Sequence, residues 1–123
     1  MLFAKSHEWV DMIDDTTATI GISDFAQSEL GGLVFVNLPE VGDEVEAGEV
    51  FADVESVKAV SDIYSPVTGT VAEVNEELLD APEKINEDAY GAWFIKVENI
   101  SEQADDLMDE DAYKAYCDEA SAE

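Results

Sequence analysis

The sequence predicts one small, mainly β domain, a sandwich or barrel, with an acidic helical segment at its C-terminal end. The chain has 123 residues, of which 46% are apolar, and this suits a single hydrophobic core. Turn residues separate short apolar runs throughout the middle of the chain, a pattern typical of small sandwiches and barrels. We therefore expect residues 1–123 to form one domain, with residues 1–100 as its β core.

Short apolar and β-branched runs bounded by turn residues predict the strands of this core. Ser23 and Asp24 are suited to cap a short helix that Gly31 and Gly32 would end, and residues 75–80 predict one further helical turn. The predicted strands cover residues 9–13, 17–22, 33–38, 41–45, 50–55, 60–64, 70–74 and 93–97.

Residues 101–123 differ in composition from the rest, with nine acids and one lysine. Their apolar residues recur at helical spacing, which predicts one helix or two short ones, packed on the core with acids on the outer face. A disordered acidic tail is the alternative interpretation. The predicted apolar stripe consists of Ala104, Met108, Ala112, Ala115 and Tyr116.

The charge of the chain limits its possible partners. There are 31 acidic residues, five lysines and no arginine, which give a formal net charge of −26. Such a surface repels nucleic acid and anionic membranes, and no apolar run approaches the roughly 20 residues of a membrane span. We expect no nucleic-acid or membrane partner and a cytoplasmic location. The acids suit docking to a basic protein surface, while a solubility coat or salt adaptation remains an alternative.

Few residues have the chemistry of a catalyst. Cys117 is the only cysteine and His7 the only histidine, so an intramolecular disulfide and a cysteine-based zinc cluster are excluded. No nucleophile–base pair and no glycine-rich phosphate loop is present. We therefore predict no catalytic residue and no metal site, and we interpret His7 as a packing or capping residue.

Lys58 stands out within the predicted β core. It lies between two predicted strands, in a turn that lacks the usual Asn-Gly or Gly-Gly pair. A lone lysine in a turn is usually just a solvated charge. This one, however, is the only cation between Lys5 and Lys84, and residues 65–69 predict a second tight turn soon after it. Two hairpins are then expected side by side, which makes Lys58 a candidate functional residue.

The residues around Lys58 also carry a family resemblance. The segments Glu55-Ser56-Val57-Lys58-Ala59 and Ser61-Asp62-Ile63-Tyr64-Ser65-Pro66-Val67-Thr68-Gly69 resemble the lipoylation segment of glycine cleavage H proteins. Three further segments resemble the same family in the expected order, so that the likeness covers nearly the whole chain. These segments are Ser6-His7-Glu8-Trp9-Val10, Gly21-Ile22-Ser23-Asp24-Phe25-Ala26-Gln27 and Leu33-Val34-Phe35-Val36-Asn37-Leu38-Pro39-Glu40-Val41-Gly42.

The resemblance implies a barrel-sandwich hybrid, as in lipoyl and biotinyl carriers, with short helices and a C-terminal helical segment. It implies a non-catalytic carrier with lipoate in amide linkage to Lys58, attached by a lipoate ligase or lipoyltransferase. The carrier would shuttle the aminomethyl group of glycine from glycine decarboxylase (the P protein) to an aminomethyltransferase (the T protein). It would then deliver the dihydrolipoyl group to dihydrolipoyl dehydrogenase (the L protein) for reoxidation.

The resemblance also implies a cleft for the loaded arm, formed by Ser6, Glu8 and Asp62. A hydroxyl and two carboxylates are suitable hydrogen-bond acceptors for the ammonium group at the end of such an arm. For the two acids, an ordinary solvated surface position is the alternative interpretation.

Related carriers differ at the residues beside the lysine. Biotinyl domains flank it with methionines, whereas Val57 and Ala59 occupy these positions here. Lipoyl domains of 2-oxo-acid dehydrogenases usually have an aspartate before the lysine and a linker to a catalytic domain. A second role, the relay of lipoyl groups to other enzymes, remains open.

Overall fold

A computed structural model describes residues 1–121 as two antiparallel sheets with four short helices. The six-stranded sheet has the order β1-β2-β3-β9-β8-β5, and the three-stranded sheet has the order β4-β6-β7. In chain order the elements are β1 Leu2–Phe3, β2 Glu8–Met12, β3 Ala18–Ile22, α1 Asp24–Leu30, β4 Leu33–Asn37, β5 Glu44–Val45, β6 Val50–Ser56, β7 Val60–Tyr64, β8 Val67–Val74, α2 Glu77–Asp80, α3 Lys84–Glu87, β9 Ile95–Gln103 and α4 Glu110–Ser121.

The main core lies between the two sheets. Apolar side chains at alternate strand positions point inward from both sheets, as the period of two of a β-strand requires. In β7, for example, Ile63 is buried while its neighbours Asp62 and Tyr64 are exposed. The innermost side chains of this core are Val10, Ile20, Ile22, Val36, Val54, Val67, Phe94, Ile95 and Val97.

Helix α1 begins and ends where the sequence predicts. The hydroxyl of Ser23 accepts a hydrogen bond from the Ala26 N–H at 3.1 Å, which satisfies one of the free N–H groups of the first turn. Gly31 ends the helix with φ +80° and donates its N–H to the Gln27 carbonyl at 3.0 Å. The Asn86 side-chain amide donates to the Gly31 carbonyl at 2.9 Å, so the end of α1 is also held from α3.

The prediction of a tight turn over residues 65–69 is wrong. Strand β8 begins at Val67, and only Ser65 and Pro66 separate it from β7. Strands β7 and β8 do not pair, because they belong to different sheets. The chain crosses from one sheet to the other here, and the Ser65 hydroxyl donates to the Val67 carbonyl at 2.6 Å. A second hairpin beside the Lys58 hairpin is therefore absent from residues 1–121.

The boundary predicted at residue 101 also differs from the structure. Residues 101–103 continue β9, because Glu102 and Gln103 pair with Thr68 and Val67 of β8. One helix, α4, follows from Glu110, and residues 122 and 123 of the predicted segment lie outside the described residues.

Helix α4 packs on the β core, but with a different face from the one predicted. Ala112 and Ala115 are exposed, whereas Tyr113 is buried and Tyr116 is half-buried. Tyrosine rings bury far more apolar area than alanine methyl groups, and this area decides the rotation of the helix. The Tyr113 ring stacks on Phe3 with a centroid separation of 4.3 Å. Across the described chain, no helix has the length and apolarity needed to cross a membrane.

Candidate functional site

Lys58 lies at the tip of the β6–β7 hairpin, in a three-residue loop built by Ser56. The Ser56 N–H donates to the Ala59 carbonyl at 2.8 Å. The Ser56 hydroxyl accepts from the N–H of Ala59 at 3.0 Å and from the N–H of Lys58 at 3.3 Å. Serine thereby replaces the glycine that a two-residue turn would need, and the loop has a defined shape with the lysine at its apex.

The hairpin tip is anchored to the segment after α1. The Val57 N–H donates to the Gly32 carbonyl at 3.0 Å. A methyl group added at Gly31 would lie 3.6 Å from Lys58 Cε, so the lysine side chain passes along the end of α1. Lys58 is exposed, and the ion pairs found within residues 1–121 involve Lys84 and Lys96 instead. The amine of Lys58 is thus available to react with a partner.

A cavity of about 350 Å³ lies between α1 and β7, and Lys58 is not among its lining residues. We call it the α1–β7 cavity. Glu29 and Leu30 line it at the end of α1 that Lys58 contacts, Ser61 and Ile63 line it from β7, and Ser6 lines it as well. A larger cavity of 620 Å³ involves β1, α1 and α4. No residue of the β6–β7 hairpin lines that larger cavity, whereas Ser61 and Ile63 of the hairpin line the α1–β7 cavity.

Ser6 and Glu8, which the resemblance implies in one cleft, are joined by a hydrogen bond. The Ser6 hydroxyl donates to one carboxyl oxygen of Glu8, and the Tyr64 N–H donates to the other at 3.2 Å. Glu8 is only 1% exposed, and this burial raises its pKa to about 7, against the opposing effect of the two hydrogen bonds. Glu8 lines a second cavity of about 260 Å³, and Ser6 lines both cavities. Ser6 therefore connects the α1–β7 cavity to a buried carboxyl group that titrates near neutral pH.

Asp62 does not join them. Its neighbours in β7, Ser61 and Ile63, face the α1–β7 cavity, so strand alternation puts the Asp62 side chain on the opposite, exposed face. There it pairs across the strands with Asp53, which accepts a hydrogen bond from the Asn37 amide at 2.6 Å. The structure brings Ser6 and Glu8 together and leaves Asp62 apart from both cavities.

His7 has the packing role that the sequence predicts. Its φ is +75°, and its Nδ1 lies 2.8 Å from the Tyr113 hydroxyl, which in turn is 2.5 Å from the Ser23 hydroxyl. Burial lowers the pKa of His7, and Glu29 raises it by a smaller amount. The imidazole thus joins β2, α1 and α4 in one hydrogen-bonded contact at the edge of the α1–β7 cavity.

Several residues of this cavity were missed by the sequence analysis. Ser61 and Glu29 are polar side chains that line it, and neither belongs to the predicted site. The period of two in β7 could have identified Ser61, since it shares a face with Ile63. Glu29 has no such signal, because its position depends on how α1 packs against β7.

The sequence matches the family model for the glycine cleavage H-protein over residues 1–120. The chain belongs to the glycine cleavage H-protein family. It is 60% identical over 111 residues to a glycine cleavage system H protein of Lachnoclostridium phytofermentans, covering 90% of this chain and 87% of the relative. A probable H protein of Pyrococcus horikoshii is 54% identical over 118 residues, covering 94% of this chain and 88% of the relative.

A solved structure also resembles this H-protein family member. The crystal structure of a glycine cleavage system H protein from Mycobacterium marinum superimposes with a TM-score of 0.87 at 38% sequence identity, and the match covers 93% of each chain. The predicted barrel-sandwich fold with short helices and a C-terminal helix is therefore confirmed.

Proposed function

We propose that this chain is the lipoyl carrier of a glycine cleavage system, with lipoate in amide linkage to Lys58. It would carry the aminomethyl group of glycine from glycine decarboxylase to an aminomethyltransferase, and then present the dihydrolipoyl group to dihydrolipoyl dehydrogenase. In this role the chain is a substrate for its partner enzymes and has no catalytic residue of its own. The observation that carries the proposal is the exposed amine of Lys58 at the apex of an anchored hairpin, in a chain of the H-protein family.

The primary amine of Lys58 is chemically suited to the covalent attachment of lipoate. Amide formation needs an accessible primary amine, and Lys58 Nζ is at the tip of a loop with its side chain exposed. Lipoate, when attached, supplies a cyclic disulfide that accepts the carbon–nitrogen fragment left by decarboxylation of glycine. The hairpin holds this group at a fixed point on the carrier, which raises its local concentration at each docked enzyme.

The α1–β7 cavity would shelter the loaded end of the arm between visits to the enzymes. Ser6 offers a hydroxyl oxygen to an ammonium group in the cavity, and the carboxyl group of Glu8 lies directly behind it. A nearby cation favours the ionised form of Glu8, which strengthens the hydrogen bond between the two residues. We retain Ser6 and Glu8 in the proposed cleft, and we leave out Asp62 because its side chain is on the opposite face of β7. The cytoplasmic location remains a prediction.

Exchange of labelled bicarbonate into glycine, catalysed by glycine decarboxylase, tests the proposal. The lipoylated protein should support the exchange, whereas Lys58→Arg treated in the same way should not. Lys114→Arg is the matched control, since it removes another exposed lysine and should leave the exchange unchanged. Equal exchange with Lys58→Arg and wild-type protein would refute the proposed function.

A further inference from the structure

The hydroxyl group of Tyr113 links helix α4 to the residues around the proposed cleft. It lies 2.8 Å from Nδ1 of His7 and 2.5 Å from the hydroxyl of Ser23. Ser23 is the capping residue of α1, and His7 lines the α1–β7 cavity. Tyr113 itself lines the larger cavity and not the α1–β7 cavity. Any effect of Tyr113 on an arm in the α1–β7 cavity is therefore carried by other residues.

The ring of Tyr113 packs α4 on the core without help from its hydroxyl group. The ring stacks on Phe3 with the two planes 5° apart. The backbone of Phe3 also exchanges two hydrogen bonds with Met108, at 2.8 and 2.7 Å, just before the helix begins. A phenylalanine ring would bury nearly the same apolar area. The hydroxyl group thus has a separate effect, which is to join His7 to Ser23.

His7 has a backbone conformation that its contacts have to hold. Its φ of +75° lies in the left-handed region that residues other than glycine rarely adopt, and such a conformation persists where the surroundings determine it. The His7 N–H donates to the Ala4 carbonyl, and the His7 carbonyl accepts from the Ser23 N–H, both at 2.9 Å. The contact with Tyr113 is the third, and it is the one of these three that comes from α4.

The conformation of His7 sets the position of Ser6 relative to Glu8. His7 is the residue between them, so a change in its backbone angles moves one relative to the other. Glu8 is fixed in β2, where it pairs with Ile22 of β3. Ser6 lines the α1–β7 cavity and donates to the Glu8 carboxyl group. Loss of the contact between His7 and Tyr113 should therefore shift Ser6, and with it the acceptor that faces the cavity.

The three side chains can share their protons without conflict. Burial lowers the pKa of His7, which favours the neutral imidazole. A neutral imidazole with its proton on Nε2 lets Nδ1 accept from Tyr113, while Tyr113 accepts from Ser23. The Ser23 oxygen still accepts from the Ala26 N–H at 3.1 Å. Linked hydrogen bonds of this kind strengthen one another, so removal of the central hydroxyl should weaken the hold on His7.

We propose that Tyr113 is a positioning residue for the sheltered arm, because it holds Ser6 against Glu8 through His7. This inference rests on the proposed function. Helix α4 then contributes to the protection of the loaded arm without touching it. A packing role alone is the alternative, since a buried tyrosine hydroxyl needs a hydrogen-bond partner in any case.

Breakdown of the loaded arm measures this protection. The oxygen of water forms a bond with the methylene carbon of the aminomethyl group. The carbon–nitrogen bond breaks, and ammonia leaves with the electron pair and takes a proton from the attacking water. The carbon–sulfur bond of the resulting hemithioacetal then breaks, which releases formaldehyde while the sulfur keeps its electron pair and takes the hydroxyl proton. No oxidation or reduction is involved, and exclusion of water from the cavity should slow the first step.

Tyr113→Phe tests the proposal, since it removes only the hydroxyl group. The lipoylated proteins are loaded by glycine decarboxylase with glycine labelled at its methylene carbon, separated from the enzyme, and followed by release of labelled formaldehyde. We expect Tyr113→Phe to release it about five-fold faster than wild type. Tyr116→Phe is the matched control and should release it at the wild-type rate. Tyr116 is half-buried on the same helix, and its ring centroid lies 5.8 Å from that of His7.

A double-mutant cycle with Ser6→Ala separates positioning from a general structural effect. Ser6→Ala removes the hydroxyl group that lines the cavity, so release should be about ten-fold faster than in wild type. If Tyr113 acts through Ser6, the double variant Ser6→Ala/Tyr113→Phe should release formaldehyde no faster than Ser6→Ala alone. Independent effects would multiply to about fifty-fold. Near-UV circular dichroism checks that each variant is folded.

Four results would overturn the inference and leave the carrier role intact. These are wild-type release for Tyr113→Phe, equally fast release for Tyr116→Phe, wild-type release for Ser6→Ala, and multiplied effects in the double variant. Failure of the lipoylated wild-type protein to take up label from glycine would instead refute the proposed function, and the inference with it.

Discussion

The environment of Glu8 raises the pKa of this carboxyl group to about 7. Its carboxyl group is buried between the Ser6 hydroxyl and the Tyr64 N–H. The sequence identifies Glu8 only through the family resemblance, since one acid among 31 carries no signal of burial. Its pKa of about 7 comes from the packing of β2 against the end of β7, which no local pattern reveals.

This pKa predicts how stability depends on pH. The folded protein holds the proton on Glu8 up to about pH 7, whereas the unfolded chain releases it near 4.5. The folded state therefore binds more protons between these values, and its stability falls as the pH rises through them. Glu8→Gln has no such titrating group. Between pH 5 and pH 8 the free energy of unfolding of the variant should therefore fall by about 2–3 kcal/mol less than that of the wild type.

Urea unfolding at several pH values measures the difference. Glutamine retains only one acceptor oxygen for the two hydrogen bonds, so Glu8→Gln should start about 1 kcal/mol less stable at pH 5. Glu49→Gln removes an exposed acid and serves as the control for the change in net charge. Parallel pH profiles for Glu8→Gln and wild type would contradict the buried-carboxyl interpretation.

Individual residues differ in how well the sequence predicts their positions. Lys58 was identified correctly as a loop lysine, because strands and turn residues on both sides are local features. Asp62 was assigned to the cleft from the resemblance. It directly precedes Ile63 in β7, so the two side chains point to opposite faces of the strand, and Asp62 points away from the α1–β7 cavity. The contact of Ser23 with Tyr113 joins residues 90 positions apart, and nothing in the sequence marks these two as partners.

At the scale of elements, α1 and its end support the Lys58 loop. Helix α1 was predicted well because its capping residues are local signals. Strand β8 and the end of β9 were predicted poorly, because pairing between distant segments decides where they begin and end. The crossing between sheets at Ser65 and Pro66 looks like an ordinary turn in the sequence for the same reason.

The backbone of Gly31 predicts a pair of contrasting substitutions. Gly31 has φ +80° and ψ −158°, a combination that essentially only glycine adopts. Gly31→Ala should therefore lower the free energy of unfolding by about 1–3 kcal/mol. At Gly32 an added methyl group would lie 3.8 Å from Val57 Cγ1, which is an ordinary van der Waals contact. Gly32→Ala should therefore change the free energy of unfolding by less than about 1 kcal/mol. Chemical denaturation measures the free energy of unfolding of both variants. Equal losses of stability would show that the backbone conformation of Gly31 does not determine the cost of the substitution.

At the scale of the whole molecule, the net charge of −26 is the dominant property. The only ion pairs within residues 1–121 are those of Lys84 with Glu77 and Lys96 with Glu73, so most acids have no cationic partner there. Such a field attracts a basic partner surface over a distance set by the salt concentration. A solubility coat would leave the acids exposed in the same way.

Partner kinetics separate these two roles. If docking is steered by charge, the apparent KM of dihydrolipoyl dehydrogenase for the lipoylated protein should rise several-fold between 50 mM and 500 mM salt. Free lipoamide is the control substrate, because it carries none of this charge and should show a much smaller change. The same response for both substrates would favour the solubility coat.

The central claim is that Lys58 alone bears the lipoyl group, and peptide mapping after treatment with lipoate and an ATP-dependent lipoate ligase tests it most directly. The chain has five lysines, at positions 5, 58, 84, 96 and 114, and only Lys58 lies at the tip of the β6–β7 hairpin. The account predicts one added lipoyl group per chain, on the peptide that contains Lys58, and none on Lys58→Arg. Label on any other lysine of the wild-type protein, or undiminished labelling of Lys58→Arg, would contradict it.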